Sequence, residues 1–410
     1  MTGNNQKDQN MTKKSVALVA SQYRVPFVLL TSLFFLWGFA HAILDVLNKH
    51  FQELLAITRA HSALIQATMY MGYFVMAIPA GMFITRWGYR RGVVFGLLLY
   101  GIGSLLFIPG QYMMSFNMFL FSLFVIGCGL VFLETAANPY ATELGARETA
   151  ASRLNFAQSF NGLGCIFAPL LAGLLLFSEE DQAASGNVAL PYTCMGVAGL
   201  VVAEVFSRVR LPEIKHEVEL DDQGHRVGLW SHRLFIFGLA ALFAYEISEI
   251  SINSFFINYV VEQGWMTARQ ASLVLSFGGL SLFMAGRFVG SWIMSRVRAE
   301  KMLFWCAVGT VSMTLLVIAD LGMVSLIALL CCYAFEAIMF PTVFALALRG
   351  LGSHTKRASS FLMMSPVGGA VGPLLMGYVA DTFSMSLSFI VPLLGYVVVL
   401  GYARAVLKKR

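Results

Sequence analysis

The hydrophobic positions of this chain are concentrated in twelve long segments, which alternate with short polar segments. Each is about 20 residues long, the length that a helix needs to cross the hydrocarbon core of a bilayer. The pattern therefore predicts an all-α membrane protein with twelve transmembrane helices. We place these helices near residues 26–47, 63–84, 91–110, 116–138, 155–178, 191–208, 234–260, 271–295, 302–320, 324–348, 359–380 and 386–405.

Short motifs in the first six predicted helices recur 202 to 204 positions later in the last six. The motif ETAANP at 134–139 returns as EAIMFP at 336–341, and GCIFAPLLAG at 164–173 returns as GGAVGPLLMG at 368–377. A repeat of whole six-helix halves is typical of transporters. The predicted organisation is a disordered cytoplasmic tail at 1–22, a six-helix bundle at 23–208, a cytoplasmic central loop at 209–232 and a second six-helix bundle at 233–410.

The composition supports a membrane protein. Hydrophobic residues make up 58% of the chain and charged residues only 12%, whereas a soluble domain carries about 25% charged residues. The net charge of +6 comes from Lys and Arg in one alternate set of predicted loops. Because such loops face the cytoplasm, we predict that both termini are cytoplasmic and that the protein lies in the cytoplasmic (inner) membrane, with no nucleic-acid partner.

Motifs for catalysis or for a bound cofactor are missing from the sequence. The six cysteines lie within apolar segments without metal-ligand spacing, so we interpret them as core residues. Neither a nucleophile elbow nor a phosphate-binding glycine loop is present. We therefore expect a protein that is not an enzyme, binds no metal or cofactor, and transports without ATP.

Charged side chains inside the predicted helices are the candidate functional groups. A charge at the bilayer centre costs roughly 2.5–3.5 kcal/mol on insertion scales, so such residues face the bundle interior or a water-filled cavity. We expect these residues to surround one central cavity. They are Asp45, Glu134, Glu246, Glu249, Arg287 and Glu336.

The first predicted helix carries a polar stripe. Trp37, His41, Asp45 and Asn48 recur at three- and four-residue spacing and therefore share one helix face. An aromatic ring can pack against the C–H face of a sugar, and carboxylates and amides can bind its hydroxyl groups. The stripe predicts sugar binding, and contact with a neighbouring helix is the alternative.

Two further helices carry polar residues at helical spacing, the fifth at three-residue intervals and the seventh at four-residue intervals. An amide can both donate and accept hydrogen bonds, as binding a polyol requires. For each residue an interhelical contact is the alternative, and for Glu336 the role of a second titrating group is another. The roles of Glu246, Arg287 and Glu336 stay open. The predicted substrate-binding residues outside the first helix are Gln66, Gln158, Asn161, Tyr245, Glu249, Asn253 and Glu336.

The carboxyl groups of Asp45 and Glu134 are the predicted proton-coupling groups. Burial disfavours the charged form of a carboxyl, so a buried one can take a proton on one side of the membrane and release it on the other. If protonation changes sugar affinity, linkage makes the effect reciprocal. The alternative for Glu134 is a salt bridge, for example with Arg287.

The segment GMFITRWGYRRG at 81–92 resembles the loop motif of the major facilitator superfamily, with Thr85 where an aspartate is usual. The segments SLFFLWGFAHAILDVLNKHFQ, LETAANPY, RLNFAQSFNGLG and FPTVFALALRGLGSHT are similar to the fucose/glucose/galactose permease subfamily. This resemblance implies two helical bundles around a central cavity and sugar uptake driven by a cation gradient. It also implies proton coupling at Asp45 and Glu134, sugar binding at Gln158, and a gating loop with Arg86, Arg90 and Arg91.

The predicted function is the import of a monosaccharide, such as glucose, galactose, fucose or N-acetylglucosamine, coupled to proton symport by alternating access. The alternatives are a sodium-coupled sugar symporter, proton-coupled efflux of a sugar-like metabolite or drug, and a sugar sensor. The expected partners are the sugar, a proton or sodium ion and the lipid bilayer, and the protein is expected to be a monomer. The sugar stays open.

Overall fold

The computed structural model describes residues 18–54, 59–176, 189–209 and 228–409. The side chains of 44–54, 59–67, 169–176, 268, 269 and 272 are outside this description. Three predicted site residues, Asp45, Asn48 and Gln66, therefore lie outside it. So do most of the predicted tail 1–22 and of the central loop 209–232.

The described part of the first half contains six long helices. Two of them, α2 and α3, are the arms 59–87 and 89–105 of one helical run, Arg59–Leu105, which bends at Gly88 and is followed by the short helix Phe107–Tyr112. The other four are α1 (Arg24–Leu54), α4 (Phe116–Glu143), α5 (Ala150–Leu176) and α6 (Ala189–Arg208).

The second half repeats this arrangement, although several of its helices are interrupted. Continuous helices are α7 (Arg233–Glu262) and α9 (Ala299–Ile318). Interrupted ones are α8 (Ala268–Leu273, the π-helical Val274–Leu280 and Ser281–Met294), α10 (Met323–Glu336 and Met339–Leu348), α11 (Thr355–Leu362, Ser365–Val367 and Gly368–Thr382) and α12 (Met385–Ser388 and Ile390–Lys408).

Ten helical stretches of the described chain are long and apolar enough to cross a membrane. One of them, Thr68–Tyr112, contains both α2 and α3, and α5 is the remaining long helix. The predicted all-α fold with twelve helices is thus confirmed. The helices are longer than predicted at several ends because polar residues continue the helical backbone beyond the apolar core, as α4 does from Asn138 to Glu143.

The predicted gating loop is not a loop in the structure. Arg86 lies in the last turn of α2, and Arg90 and Arg91 lie in the first turn of α3. Only Gly88 leaves the helical conformation, with φ 87° and ψ 167°, a backbone conformation that glycine adopts without a steric penalty. One such residue turns the chain, so the basic residues are attached to two rigid helices.

Close packing of α1 against α5 positions the candidate site. A Cβ atom on Gly38 would lie 2.0 Å from the carbonyl oxygen of Asn161, and one on Gly164 would lie 2.2 Å from that of Phe35. Small residues permit such backbone contact between membrane helices. As a result, the polar residues of α5 lie beside the aromatic residues of α1.

The two halves meet at one end of the bundle, here called the basic end because it carries the basic segments 86–91, 296–301 and 354–357. Ser152 of α5 and Ser291 of α8 each donate a hydrogen bond to the other's carbonyl oxygen, at 2.6 and 2.8 Å. Asn155 donates to the hydroxyl of Thr342 at 3.0 Å. These bonds join the two halves and hold the basic end closed.

Two repeated prolines each leave a carbonyl oxygen without its helical donor, because proline has no N–H for the carbonyl four residues earlier. Pro139 frees the carbonyl oxygen of Thr135, which accepts a hydrogen bond from the hydroxyl of Ser359 in the other half at 3.0 Å. Pro341 frees that of Ala337, which accepts from Nε of Arg287 at 3.2 Å. The prolines therefore create acceptors for side chains of other helices.

Replacing Gly81 by alanine is expected to open the basic end. A Cβ atom there would lie 1.4 Å from Oγ and 2.6 Å from Cβ of Ser360 across the junction of the halves. The distance between spin labels at the exposed positions Arg91 and Arg357, measured by pulsed electron resonance, should therefore lengthen in Gly81→Ala.

The matched control for this prediction is the double variant Gly81→Ala with Ser360→Gly, which removes the side chain that the new methyl group would meet. We expect it to recover the short label distance. An unchanged distance in the single variant would mean that Ser360 moves aside and that this contact does not govern closure.

Candidate functional site

Glu134 stands in a chain of three hydrogen-bonding side chains from three helices. Its carboxyl group is 3% exposed and accepts a hydrogen bond at Oε1 from the hydroxyl of Tyr73 on α2. The same hydroxyl lies 3.2 Å from Nε2 of His41 on α1. The chain runs from a half-buried imidazole, through a buried hydroxyl, to a buried carboxyl.

Aromatic rings surround the imidazole end of this chain. The rings of Trp37 and Tyr73 each approach His41 edge to face, with centroids 5.9 Å away. The buried indole N–H of Trp37 has no acceptor among the described residues. Rings that offer an apolar face beside unpaired polar atoms are suited to a sugar, which has C–H faces and hydroxyl edges.

The predicted face of α1 continues toward Asp45 and Asn48. The backbone of α1 is helical throughout 24–54, so the predicted spacing is that of a helix. The side chains of these two residues and of Gln66 lie outside the described part of the chain, and their roles stay predictions.

The two predicted amides of α5 contact a cation from the other half. Nη1 of Arg287 donates to Oε1 of Gln158 and to Oδ1 of Asn161, both at 3.4 Å, and to the carbonyl oxygen of Gln158 at 3.2 Å. Nε2 of Gln158 in turn donates to Oδ1 of Asn138 at 3.2 Å. Arg287 therefore contacts these amides, and the carboxyl of Glu134 is bonded to a tyrosine instead.

The counterpart of Glu134 in the second half, Glu336, lies where α10 is interrupted. It is fully buried, and Oε2 accepts a hydrogen bond from the hydroxyl of Tyr396 on α12. Its Oε1 has no partner among the described residues. A second tyrosine, Tyr245, donates to the backbone carbonyl of Glu336 at 3.4 Å.

The remaining predicted residues of α7 differ in exposure. Tyr245 is fully buried, whereas Glu249 and Asn253 are half-buried, and Oδ1 of Asn253 is buried without a donor among the described residues. The hydroxyl of Tyr245 also lies near the carboxyl group of Glu249. Glu249 and Asn253 are thus open to a ligand, while Tyr245 lies behind them and connects Glu249 to Glu336.

The basic residues near Gly88 lie away from this cluster. Arg86 and Arg91 are exposed at the basic end, and the guanidinium of Arg86 lies 5.5 Å from the ring centroid of Trp87. Their position fits a contact that changes when the basic end opens, rather than a contact with substrate.

Sequence reasoning missed both tyrosines that bond the repeated glutamates. Tyr73 and Tyr396 are single aromatic residues in aromatic-rich helices, and their spacing does not indicate which carboxyl they contact. Asn138 could have been found, because it lies one helical turn after Glu134 and so on the same face of α4. Ser359 and Thr342 carry no signal, since serine and threonine often bond their own helix backbone.

The arrangement can therefore do two chemical tasks. The carboxyl of Glu134 can hold or release a proton through the Tyr73 hydroxyl and the His41 imidazole. Amide, carboxyl and indole groups beside it can donate and accept the bonds that a polyol needs. Among the described residues, no group of three or more His, Cys, Asp or Glu could hold a metal ion.

Several known proteins with similar sequences are named as sugar transporters. The chain is 35% identical over 392 residues to a glucose/galactose transporter of Brucella abortus, covering 93% of this chain and 95% of the relative. It is 34% identical over 410 residues to the L-fucose-proton symporter of Escherichia coli K12, covering 93% of each. These relatives are transporters, in agreement with the expectation of a transport protein.

Solved structures show the same relationship. The E. coli transporter FucP in its outward conformation matches with a TM-score of 0.84 and 33% identity, over 94% of this chain and 99% of that one. A proton:xylose symporter matches with a TM-score of 0.72 at 12% identity, which concerns the fold alone. The sequence profile described as Major Facilitator Superfamily matches residues 27–365. The resemblance in the motifs is confirmed, and the chain belongs to the major facilitator superfamily.

Proposed function

We propose that this protein imports a monosaccharide together with a proton across the bacterial cytoplasmic membrane. The observation that carries the proposal is the buried chain of His41, Tyr73 and Glu134, which lies beside the amides of α5. Relatives named as glucose/galactose transporters and as an L-fucose-proton symporter support the sugar and the proton. Glucose, galactose, fucose and N-acetylglucosamine are all candidate substrates.

The orientation follows from the charge distribution. Lys and Arg prefer the cytoplasmic side of a membrane, so the basic end faces the cytoplasm, and both chain termini lie on that side. With the basic end closed, the structure corresponds to the state that receives sugar from outside, as in the FucP structure named for its outward conformation. The unit is a monomer in the lipid bilayer, with six-helix halves at 23–208 and 233–410, a tail at 1–22 and a central loop at 209–232.

Coupling follows from competition for the carboxyl group of Glu134. When ionised, it accepts the bond from Tyr73. When protonated, it loses its charge and can itself donate to a sugar hydroxyl or to a neighbouring acceptor. A proton therefore changes what the site offers to a sugar, and the sugar changes proton affinity by the same factor. Asp45 is proposed to act with Glu134 on the same proton in the first half.

Sugar binding involves both halves. Trp37, Gln158 and Asn161 contact the sugar from the first half, with His41 and the predicted Asn48 and Gln66 beside them. Glu249 and Asn253 contact it from the second half, and Tyr245 supports Glu249 from behind. A sugar that bonds the two amides replaces Arg287, which holds them in the described state. Loss of the contact between Arg287 and these amides weakens the attachment of the two halves and permits them to rock relative to each other, as alternating access requires.

The proposed function is tested by uptake of radiolabelled sugars into proteoliposomes, with pH and sodium gradients imposed separately. Accumulation driven by an inward proton gradient is the expected result. Accumulation driven only by sodium would identify a sodium symporter, and export toward the side of higher proton concentration would identify efflux. Sugar binding without movement would identify a sensor, and each of these outcomes contradicts the proposal.

Replacing Glu134 by glutamine is expected to lower accumulation driven by a pH gradient. The amide keeps the shape of the protonated acid but cannot release a proton, so the ratio of inside to outside sugar concentration should fall well below the wild-type ratio. Exchange of labelled for unlabelled sugar needs no net proton movement and should persist. Both are measured in the same vesicles, and accumulation at the wild-type level would exclude the coupling role.

Replacing Gln158 by leucine is expected to raise the sugar concentration for half-maximal uptake by about tenfold or more. Two neutral hydrogen bonds, each contributing about 0.5–1.5 kcal/mol, are lost, while the protons moved per sugar stay unchanged. The control is Asn155→Ala on the same helix, because Asn155 bonds Thr342 and should alter closure without altering sugar binding. Equal effects of the two variants would contradict sugar contact at Gln158.

A further inference from the structure

Glu336 repeats, in the second half, the environment of Glu134 in the first. Both occupy the first position of the repeated Glu-to-Pro motif, and each accepts a hydrogen bond from a buried tyrosine of a neighbouring helix. The tyrosine is Tyr73 for Glu134 and Tyr396 for Glu336. The two tyrosines are not at repeat-related positions, so the hydrogen-bond donor comes from a different place in each half.

The burial of Glu336 and its unpaired oxygen favour the neutral form of its carboxyl group. The side chain is fully buried, Oε2 accepts one bond, and Oε1 has no partner in the described part of the chain. An unpaired buried charge costs far more than an unpaired neutral group. A proton on Oε1 removes the charge and leaves the bond from Tyr396 in place.

Charges around Glu336 lead to the same conclusion. Another acid, Glu249, lies near Glu336, and Arg287 lies near both of them. The guanidinium of Arg287 is directed at Ala337, Gln158 and Asn161, and no cation of the described residues contacts the unpaired oxygen. The titratable or charged groups that face Glu336 are Tyr245 and Glu249 on α7, Arg287 on α8, Cys332 and Tyr333 on α10, and Tyr396 on α12.

Glu249 is the nearby acid through which a proton from water can reach Glu336. It is half-buried, and the hydroxyl of Tyr245 lies near its carboxyl group and donates to the backbone carbonyl of Glu336 at 3.4 Å. A proton taken from water by the Glu249 carboxylate can move to Oε1 of Glu336, which leaves Glu249 ionised again. On release the O–H bond of Glu336 breaks, and the proton returns to water by the same groups.

We propose that Glu336 is a second proton-binding residue of the transport cycle, so that two protons accompany each sugar, one bound in each half. This inference rests on the proposed sugar–proton symport. Of the roles that the sequence left open for Glu336, it selects proton binding over sugar contact and over a structural contact with His41 or Arg287.

The decisive experiment measures protons moved per sugar in proteoliposomes, from the accumulation ratio that a fixed membrane potential supports. Wild type, with two protons per sugar, should support the square of the accumulation ratio that one proton would give. Glu336→Gln, with one proton per sugar, should support the square root of the wild-type ratio. The ratio reports stoichiometry and is independent of the transport rate.

The control is Glu262→Gln, the same chemical change at an exposed position at the end of α7, which should keep the wild-type ratio. Equal ratios in wild type and Glu336→Gln would overturn the proposal.

Infrared difference spectroscopy tests the proton on Glu336 without transport, and so remains decisive if Glu336→Gln moves no sugar. Purified wild type should show the carbonyl-stretch band of a buried protonated carboxyl that Glu336→Gln lacks. Tyr396→Phe should keep that band but shift it, because the bond to Oε2 is lost. A band unchanged in Glu336→Gln would overturn the proposal. Failure of wild type to move protons with any sugar would instead overturn the proposed function.

Discussion

The cost of an unpaired charge at membrane depth is the constraint on which this structure depends. Around the candidate site, the glutamates Glu134, Glu246, Glu249 and Glu336 lie in the described interior with the single cation Arg287, so the carboxyl groups there outnumber the cation available to balance them. The protein meets this constraint with tyrosine hydroxyls, which donate a hydrogen bond without adding a charge. A tyrosine–carboxyl pair remains satisfied while the carboxyl is ionised and tolerates the arrival of a proton. A carboxylate–cation pair could not do this, because protonation of the carboxylate leaves the buried cation without an opposite charge.

The proline of the repeated Glu-to-Pro motif also provides a hydrogen-bond acceptor inside the membrane. Each proline frees one carbonyl oxygen, and the two halves satisfy these oxygens differently. Thr135 receives its donor, Ser359, from the opposite half, so this bond is broken when the halves separate at the basic end. Ala337 receives its donor, Arg287, from the same half and keeps it during a rigid-body movement. The first half therefore carries a bond that depends on the conformational state, and the second half carries a permanent one.

Much of the fold could be predicted from the sequence, because a bilayer demands long apolar helices and because a duplicated half leaves matching motifs. The twelve helices and the resemblance to the sugar permeases follow from these features. The bend at Gly88 could not be predicted as such, since a run of polar residues has the same appearance in a loop as in two exposed helix ends. The partners of Glu134 and Arg287 were beyond sequence reasoning for another reason. Spacing along one helix identifies a shared face but does not identify the residue that meets it from another helix, and Arg287 was open to several partners.

Arg287 connects sugar binding, the contact between the halves and proton binding in the second half. Its guanidinium donates hydrogen bonds to the amides of Gln158 and Asn161 and to the carbonyl of Ala337, and it is the cation near both Glu249 and Glu336.

A sugar that binds the two amides leaves part of this guanidinium without an acceptor. The nearby carboxyl groups are the acceptors that can replace the amides, and a stronger contact with Arg287 favours the ionised form of whichever carboxyl it reaches. Sugar binding in the first half thereby alters the balance of protons in the second half, through a single side chain that crosses between them. Coupling of this kind requires no long pathway, because the sugar ligands, the bond between the halves and the acids of the second half all share one cation.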